Sequence, residues 1–185
     1  MLWQTDFANV HFYFATAKTG YIEMTTEMQK LNLPEYNFRI KTTDEKNMIF
    51  DKIRKKFVVL TPEEWVRQNF IEYLKTEKKY PETLMAVEKQ IVINHNQRRF
   101  DLLVYSRNGQ PFLIAEFKAP NVKITQDTFD QVVRYNMSLQ VEKVVVSNGL
   151  QHFACEIDYD KNSYSYLAEI PEFMERCRNN GIGFS

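Results

Sequence analysis

Asp101 and Glu116 are the residues of this chain best suited by type and spacing to do chemistry, with Lys118 beside them. Arg99–Tyr105 reads as one strand and Pro111–Lys118 as the next, joined through Arg107–Asn108–Gly109–Gln110. Asn-Gly is the strongest short hairpin signal, because both turn residues must accept positive φ. A two-residue turn at Asn108–Gly109 sets Asp101 opposite Glu116 on one face, with side chains about 5 Å apart. Like charges opposed that closely are destabilising unless a proton or a cation lies between them. Lys118, two residues beyond Glu116, points to the same face. Two acids and one lysine converging in this way are the makings of a divalent-metal hydrolase site.

The elements that must position this hairpin are readable on either side of it. Short strands are expected at Tyr36–Lys41, Met48–Asp51 and Phe57–Leu60, around the basic cluster Lys52–Lys56. Thr61–Pro62–Glu63–Glu64 opens a helix: Thr61 can cap, Pro62 suits the first helical position and Glu64 completes a capping box. Val66, Phe70 and Leu74 form its apolar stripe with Trp65 alongside, and Tyr80–Pro81 closes it. Leu84–Asn94 reads as a strand leading into the hairpin. A second helix follows, with Thr125 as N-cap, Ile124 and Phe129 as a hydrophobic staple, and Val132, Val133 and Met137 on its buried face. Val141–Val146 reads as a strand buried on both faces. Asn148–Gly149 is a turn, Phe153–Ile157 a strand and Pro171–Arg178 a terminal helix. The order is helix, three strands, helix, two strands, which predicts an α/β domain around a mixed sheet flanked by helices.

A chain of 185 residues with 14% aromatics can bury a substantial core and is not a disordered segment. It has no run of 18 apolar residues, so no membrane span is expected, and the N-terminus does not read as a signal peptide. Cys155 and Cys177 are too few for a disulfide framework or a zinc site and read as reduced packing residues of a cytoplasmic protein. His11, His95 and His152 lack ligand spacing. Acidic and basic residues balance at 24 each, so nucleic-acid affinity must come from local patches such as Lys52, Arg54, Lys55, Lys56, Arg98, Arg99, Lys123 and Arg134. The aromatic-rich residues 1–30 read either as an extra edge strand or as an extension, residues 31–157 as the domain, and residues 158–185 as a C-terminal extension with a short strand and helix.

Asp101, fourteen residues, then Glu116–Phe117–Lys118 has the form of the PD-(D/E)XK nuclease signature, and the element order resembles that superfamily's. Gln131 and Tyr135 repeat the Q-x-x-x-Y pattern of its exonuclease-like branch. Leu60–Gln68, Ala115–Pro120, Gln131–Asn136 and Ser147–Asn148–Gly149 resemble the N-terminal nuclease domain of type I restriction enzyme R subunits, over roughly residues 31–157. Phe100 stands where the signature has proline. There is no G-x-x-x-x-G-K-[ST] loop, so a stand-alone nuclease domain without an ATP-driven motor is expected.

The resemblance implies a restriction-endonuclease-like fold and Mg²⁺-dependent hydrolysis of DNA, with Mn²⁺ able to substitute. Asp101, Glu116 and the backbone carbonyl of Phe117 would hold the metal, and Lys118 would orient water or stabilise transition-state charge. Gln131 and Tyr135, one turn apart, would reach the metal site or the DNA backbone, or else form an ordinary helix face. The first helix often adds an acid in this superfamily; Glu64 is the choice, Glu63 is as near, and Glu88 is a further candidate. The partners implied are DNA and other restriction or repair subunits, with a homodimer left open. The rival reading is a non-cleaving DNA-binding or assembly module on the same fold.

Overall fold

The structure, a computed structural model, describes residues 28–44, 46–93, 96–136 and 141–174. The elements run β1 (Ile40–Thr43), β2 (Lys46–Asp51), β3 (Lys56–Val59), α1 (Pro62–Thr76), β4 (Met85–Ile93), β5 (Asn96–Tyr105), β6 (Pro111–Phe117), α2 (Gln126–Asn136), β7 (Lys143–Ser147), β8 (His152–Asp158) and β9 (Ser163–Tyr166). The first three strands form one antiparallel sheet and the other six a second sheet in sequence order. Only β6 and β7 in that second sheet are parallel, because α2 carries the chain back across it. Among the described residues the architecture is therefore α/β with a mixed sheet and two α-helices. The first strand begins at Ile40, four residues later than the alternation of Tyr36–Lys41 implies.

Helix α1 begins as the sequence dictates: the Thr61 hydroxyl accepts the Glu64 N–H at 3.0 Å, with Pro62 next in line. Only half of a capping box forms, since the Glu64 carboxylate turns away to bond Arg54, Arg67 and Gln68. Trp65, Val66, Phe70, Ile71 and Leu74 are buried in a core with Leu102, Val104, Leu113, Ala115 and Phe117. The polar side of the helix is buried too, at Glu64, Arg67, Gln68, Asn69 and Glu72. A second core sits under α2, where Phe129, Val132 and Val133 pack with Leu103, Ile114, Val144 and Val146. Thr125 accepts the Thr128 N–H at 3.3 Å and starts that helix.

The hairpin turn differs from the two-residue form. Gly109 has φ +80° while Asn108 is not among the residues of positive φ. Its N–H donates to the Ser106 carbonyl at 2.9 Å, and the Ser106 N–H donates to Gln110 at 2.8 Å. This is a type I turn closed by a left-handed glycine, which shifts the pairing by one residue at Tyr105↔Pro111. An irregularity between Val104 and Tyr105 shifts it back, giving Val104↔Leu113, Leu103↔Ile114 and Leu102↔Ala115. Continued by one residue, that register sets Asp101 across from Glu116.

At the C-terminal end, β9 pairs with β8, Ile170 is buried and Phe173 stacks on Tyr80 and Phe112. Pro171–Met174 is not helical, and the remainder of the expected terminal helix lies outside the described residues. So do residues 1–27, Met137, His95, Cys177 and the side chains of Arg98 and Tyr135.

Candidate active site

The two paired strands part where the acids sit. Recorded β5–β6 pairing stops at Leu102↔Ala115, although β6 continues to Phe117. The Phe117 N–H, released from the ladder, donates to the Asp101 carboxylate at 2.8 Å. On the other side of β5, pairing with β4 holds at Val87↔Leu102 and Lys89↔Phe100 but lapses between them. There Glu88 adopts φ +53°, a left-handed backbone that costs a non-glycine residue about 1 kcal/mol or more. Leu102 and Val104 belong to the first core, whereas Phe100 and Leu103 belong to the second, so alternation breaks at Asp101. That break frees the Asp101 carboxylate from an ordinary cross-strand position.

Glu116 is half-buried on β6 and its carboxyl shares a hydrogen bond with Asp101. Burial, then the Asp101 carboxylate, pushes the Glu116 carboxyl up to about 8, over the opposing pull of Lys118 and Arg67. Lys118 follows the end of β6, its N–H bonded to the Ser147 carbonyl of β7 at 2.9 Å. Its ammonium acts on both Glu116 and Glu63.

The helix acids divide in a way the sequence does not announce. Glu64 is 6% exposed and held between Arg67 at 2.5 Å and Arg54 at 2.7 Å, with Gln68 at 2.8 Å. Its oxygens are thus committed to internal partners. Glu63 instead stands beside the site: burial, then the Asp101 carboxylate, raises its carboxyl, while Lys118 and Arg67 pull it down. Arg67 links the two halves, donating to Asp101 at 2.8 Å and lying 3.6 Å from Glu63. Glu88 is held by Arg54 at 2.8 Å and by a close pair with Arg99. Against the cost of partial burial, Arg99 and Arg54 hold its carboxyl below the ordinary value.

Three residues read as phosphate contacts pair with acids instead: Arg54 joins Asp51, Glu64 and Glu88, Lys52 pairs with Glu72 at 3.1 Å, and Arg99 pairs with Glu88. Gln131 and Arg134 lie exposed on α2. Sequence pattern missed Arg67 and Asp51 altogether. The available signal was an arginine one turn beyond Glu63–Glu64, on a helix whose apolar stripe already accounted for its core face.

Among the described residues, no three acid, histidine or cysteine side chains lie close enough to cage an ion unaided. The Asp101 and Glu116 carboxyls and the Phe117 carbonyl are oxygen donors, and the Asp101 carboxylate helps push the Glu116 carboxyl up, a repulsion that a cation would relieve. Those residues fit a hard divalent cation.

The frame is thus a mixed α/β domain with paired acids and a lysine where two strands separate. The model of the type I restriction enzyme R protein N terminus matches residues 62–171, more than half of the chain, and the protein belongs to that family. The match opens at the first residue of α1 and runs past β9. A solved fragment of a protein described as an HsdR subunit of a type I restriction enzyme from Vibrio vulnificus YJ016 is 20% identical, with a TM-score of 0.45. The alignment covers 61% of this chain and 24% of that one, so the chain spans about a quarter of its length. No curated protein matches the chain. No helix among the described residues is long and apolar enough to cross a membrane.

Proposed function

We propose that the domain is a metal-dependent endodeoxyribonuclease of the PD-(D/E)XK class. The observation that supports this most directly is the hydrogen-bonded Asp101–Glu116 pair beside Lys118, where β5 and β6 stop pairing with each other. In this reading Asp101, Glu116 and the Phe117 carbonyl hold Mg²⁺ or Mn²⁺, and the metal supplies Lewis-acid activation of phosphate and water. Glu116 would have to be deprotonated to hold a cation, so occupancy would rise with pH. Lys118 positions the attacking water and offsets charge that develops on the phosphoryl oxygens. Glu63, and not Glu64, is the helix acid that faces this chemistry, because Glu64 is bound by two arginines. Gln131, exposed on α2, would contact the DNA backbone, the role the resemblance also implies for Tyr135. DNA and the other subunits of a restriction complex are the partners, in the cytoplasm.

Incubating the purified protein with plasmid DNA and Mg²⁺ or Mn²⁺ tests the reading. Lys118→Ala and Glu116→Gln each lower the cleavage rate about 10²–10³-fold without loss of fold. Wild-type cleavage by Glu116→Gln refutes the site. The Arg67–Asp101 pair favours one rival, a non-cleaving assembly module, because an arginine already neutralises the first acid. Mn²⁺-dependent thermal stabilisation that vanishes in Asp101→Asn decides for the enzyme; its absence in the wild type decides for the module.

A further inference from the structure

The small sheet has two faces, and only one of them is used by the core. Ile49 is fully buried against α1, with Ile40 and Val58 beside it. The registers Lys41↔Met48, Met48↔Val59 and Phe50↔Phe57 put the alternate residues on the opposite face. Phe50 and Phe57 meet edge to face at 5.2 Å there, yet neither belongs to either core cluster. Val59 is 46% exposed, and two cations lie over the rings: Arg39 at 4.3 Å from Phe50 and Lys41 at 4.2 Å from Phe57. Lys46 shares this face by alternation. Among the described strand positions on it there is no carboxylate.

We propose that this outward face, built on Phe50, Phe57, Arg39 and Lys41, binds single-stranded DNA. Aromatic and guanidinium planes on a sheet gain by stacking on unpaired bases, whereas duplex bases are already stacked on each other. The cations beside the rings meet the phosphates between those bases. In a chain of balanced charge, three cations gathered on one aromatic face without an acid complement a polyanion with flat, exposed rings. The choice of DNA as the polymer rests on the nuclease reading; the binding does not require the metal site.

The test is fluorescence anisotropy of a labelled oligothymidylate of about 12 nucleotides, within the span one binding fold covers, in EDTA with the full chain. Phe57→Leu, which keeps the apolar volume and removes the ring, weakens binding about 5- to 100-fold. Phe50→Leu does the same and serves if Phe57→Leu melts early. The double change Arg39→Gln/Lys41→Gln reduces the slope of log affinity against log salt by about 1.4, at 0.7 per phosphate contact. Binding to a blunt duplex is unchanged in all of them. Wild-type oligothymidylate affinity in both leucine variants overturns the proposal, as does equal weakening for duplex. A wild-type dimer that Phe57→Leu dissolves, without oligonucleotide binding, overturns it in favour of a second copy. Asp101→Asn abolishes cleavage and leaves this binding intact, so the two readings fail separately.

Discussion

Replacing Arg67 with methionine is the sharpest probe of how the acids are held. Arg67 is 4% exposed and bonds Glu64 at 2.5 Å and Asp101 at 2.8 Å. Removing one member of a buried pair costs about 3–5 kcal/mol, because the partner's charge is left buried. Here neither partner is fully orphaned: Glu64 keeps Arg54 and Gln68, and Asp101 keeps the Phe117 N–H and Glu116. The Arg67 Nε is itself buried without a partner, so its removal returns about 1 kcal/mol. The expected net loss is about 2–3 kcal/mol, which for a chain of this size lowers Tm by roughly 4–12 °C. Urea melts in EDTA measure it directly. Adding Glu64→Gln to Arg67→Met recovers part of the loss, with a coupling of about 0.5–3 kcal/mol between the two sites. A single-variant loss below about 0.5 kcal/mol, typical of surface changes, refutes the view that these arginines hold the acids in place.

Glu116→Gln separates protonation from packing. A carboxyl raised in the folded state contributes most when it is protonated in both states, and its contribution falls as pH climbs from the unfolded value near 4.5 towards about 8. Wild type and variant therefore melt alike near pH 5, and the variant gains by a few kcal/mol near pH 8, at about 1.4 kcal/mol per unit; a gap that does not change with pH contradicts the raised Glu116 carboxyl. Tyr80 is 2% exposed with an unpartnered hydroxyl, and burial alone pushes that hydroxyl upward, so Tyr80→Phe is neutral or stabilising by up to about 1 kcal/mol in a thermal melt. Gly149 has φ +82°, and a Cβ there meets Leu31 Cδ2 at 2.7 Å. The Leu31 tip can shift but the dihedral cannot, so Gly149→Ala costs about 1–2 kcal/mol.

Much of the frame is legible because single residues determine it locally. Thr61–Pro62 fixes the start of α1 whatever surrounds it, and the valine run of β7 announces a strand covered on both sides. The hairpin is more instructive. Its turn is not the two-residue form that Asn-Gly predicts, yet the register near the acids is the expected one, because the irregularity at Val104/Tyr105 cancels the extra turn residue. Burial explains why the cancellation holds: Leu102 and Val104 fill one core and Leu103 the other, and a one-residue slip would exchange them. The turn adapts to the strand, not the reverse.

The polar interior was not legible for the opposite reason. Whether Glu63 or Glu64 faces the acids depends on Arg54, ten residues before Glu64, and on Arg67, three residues after it. In a linear pattern Arg54 reads as a phosphate contact and Arg67 draws no reading, since nothing local distinguishes a buried guanidinium from an exposed one. Once Asp51, 0% exposed, is placed against Arg54 and Gln68, Glu64 is drawn inward as the next acceptor along the same guanidinium. Glu63, one residue earlier and about 100° around the helix, is thereby turned towards Asp101 and Lys118. The ion-pair chain from Asp51 through Arg54, Glu64 and Arg67 to Asp101 thus ties the small sheet, α1 and β5 together. Its cost in buried charge returns a fixed place for Glu63, which lies 3.6 Å from Arg67 beside the point where β5 and β6 part.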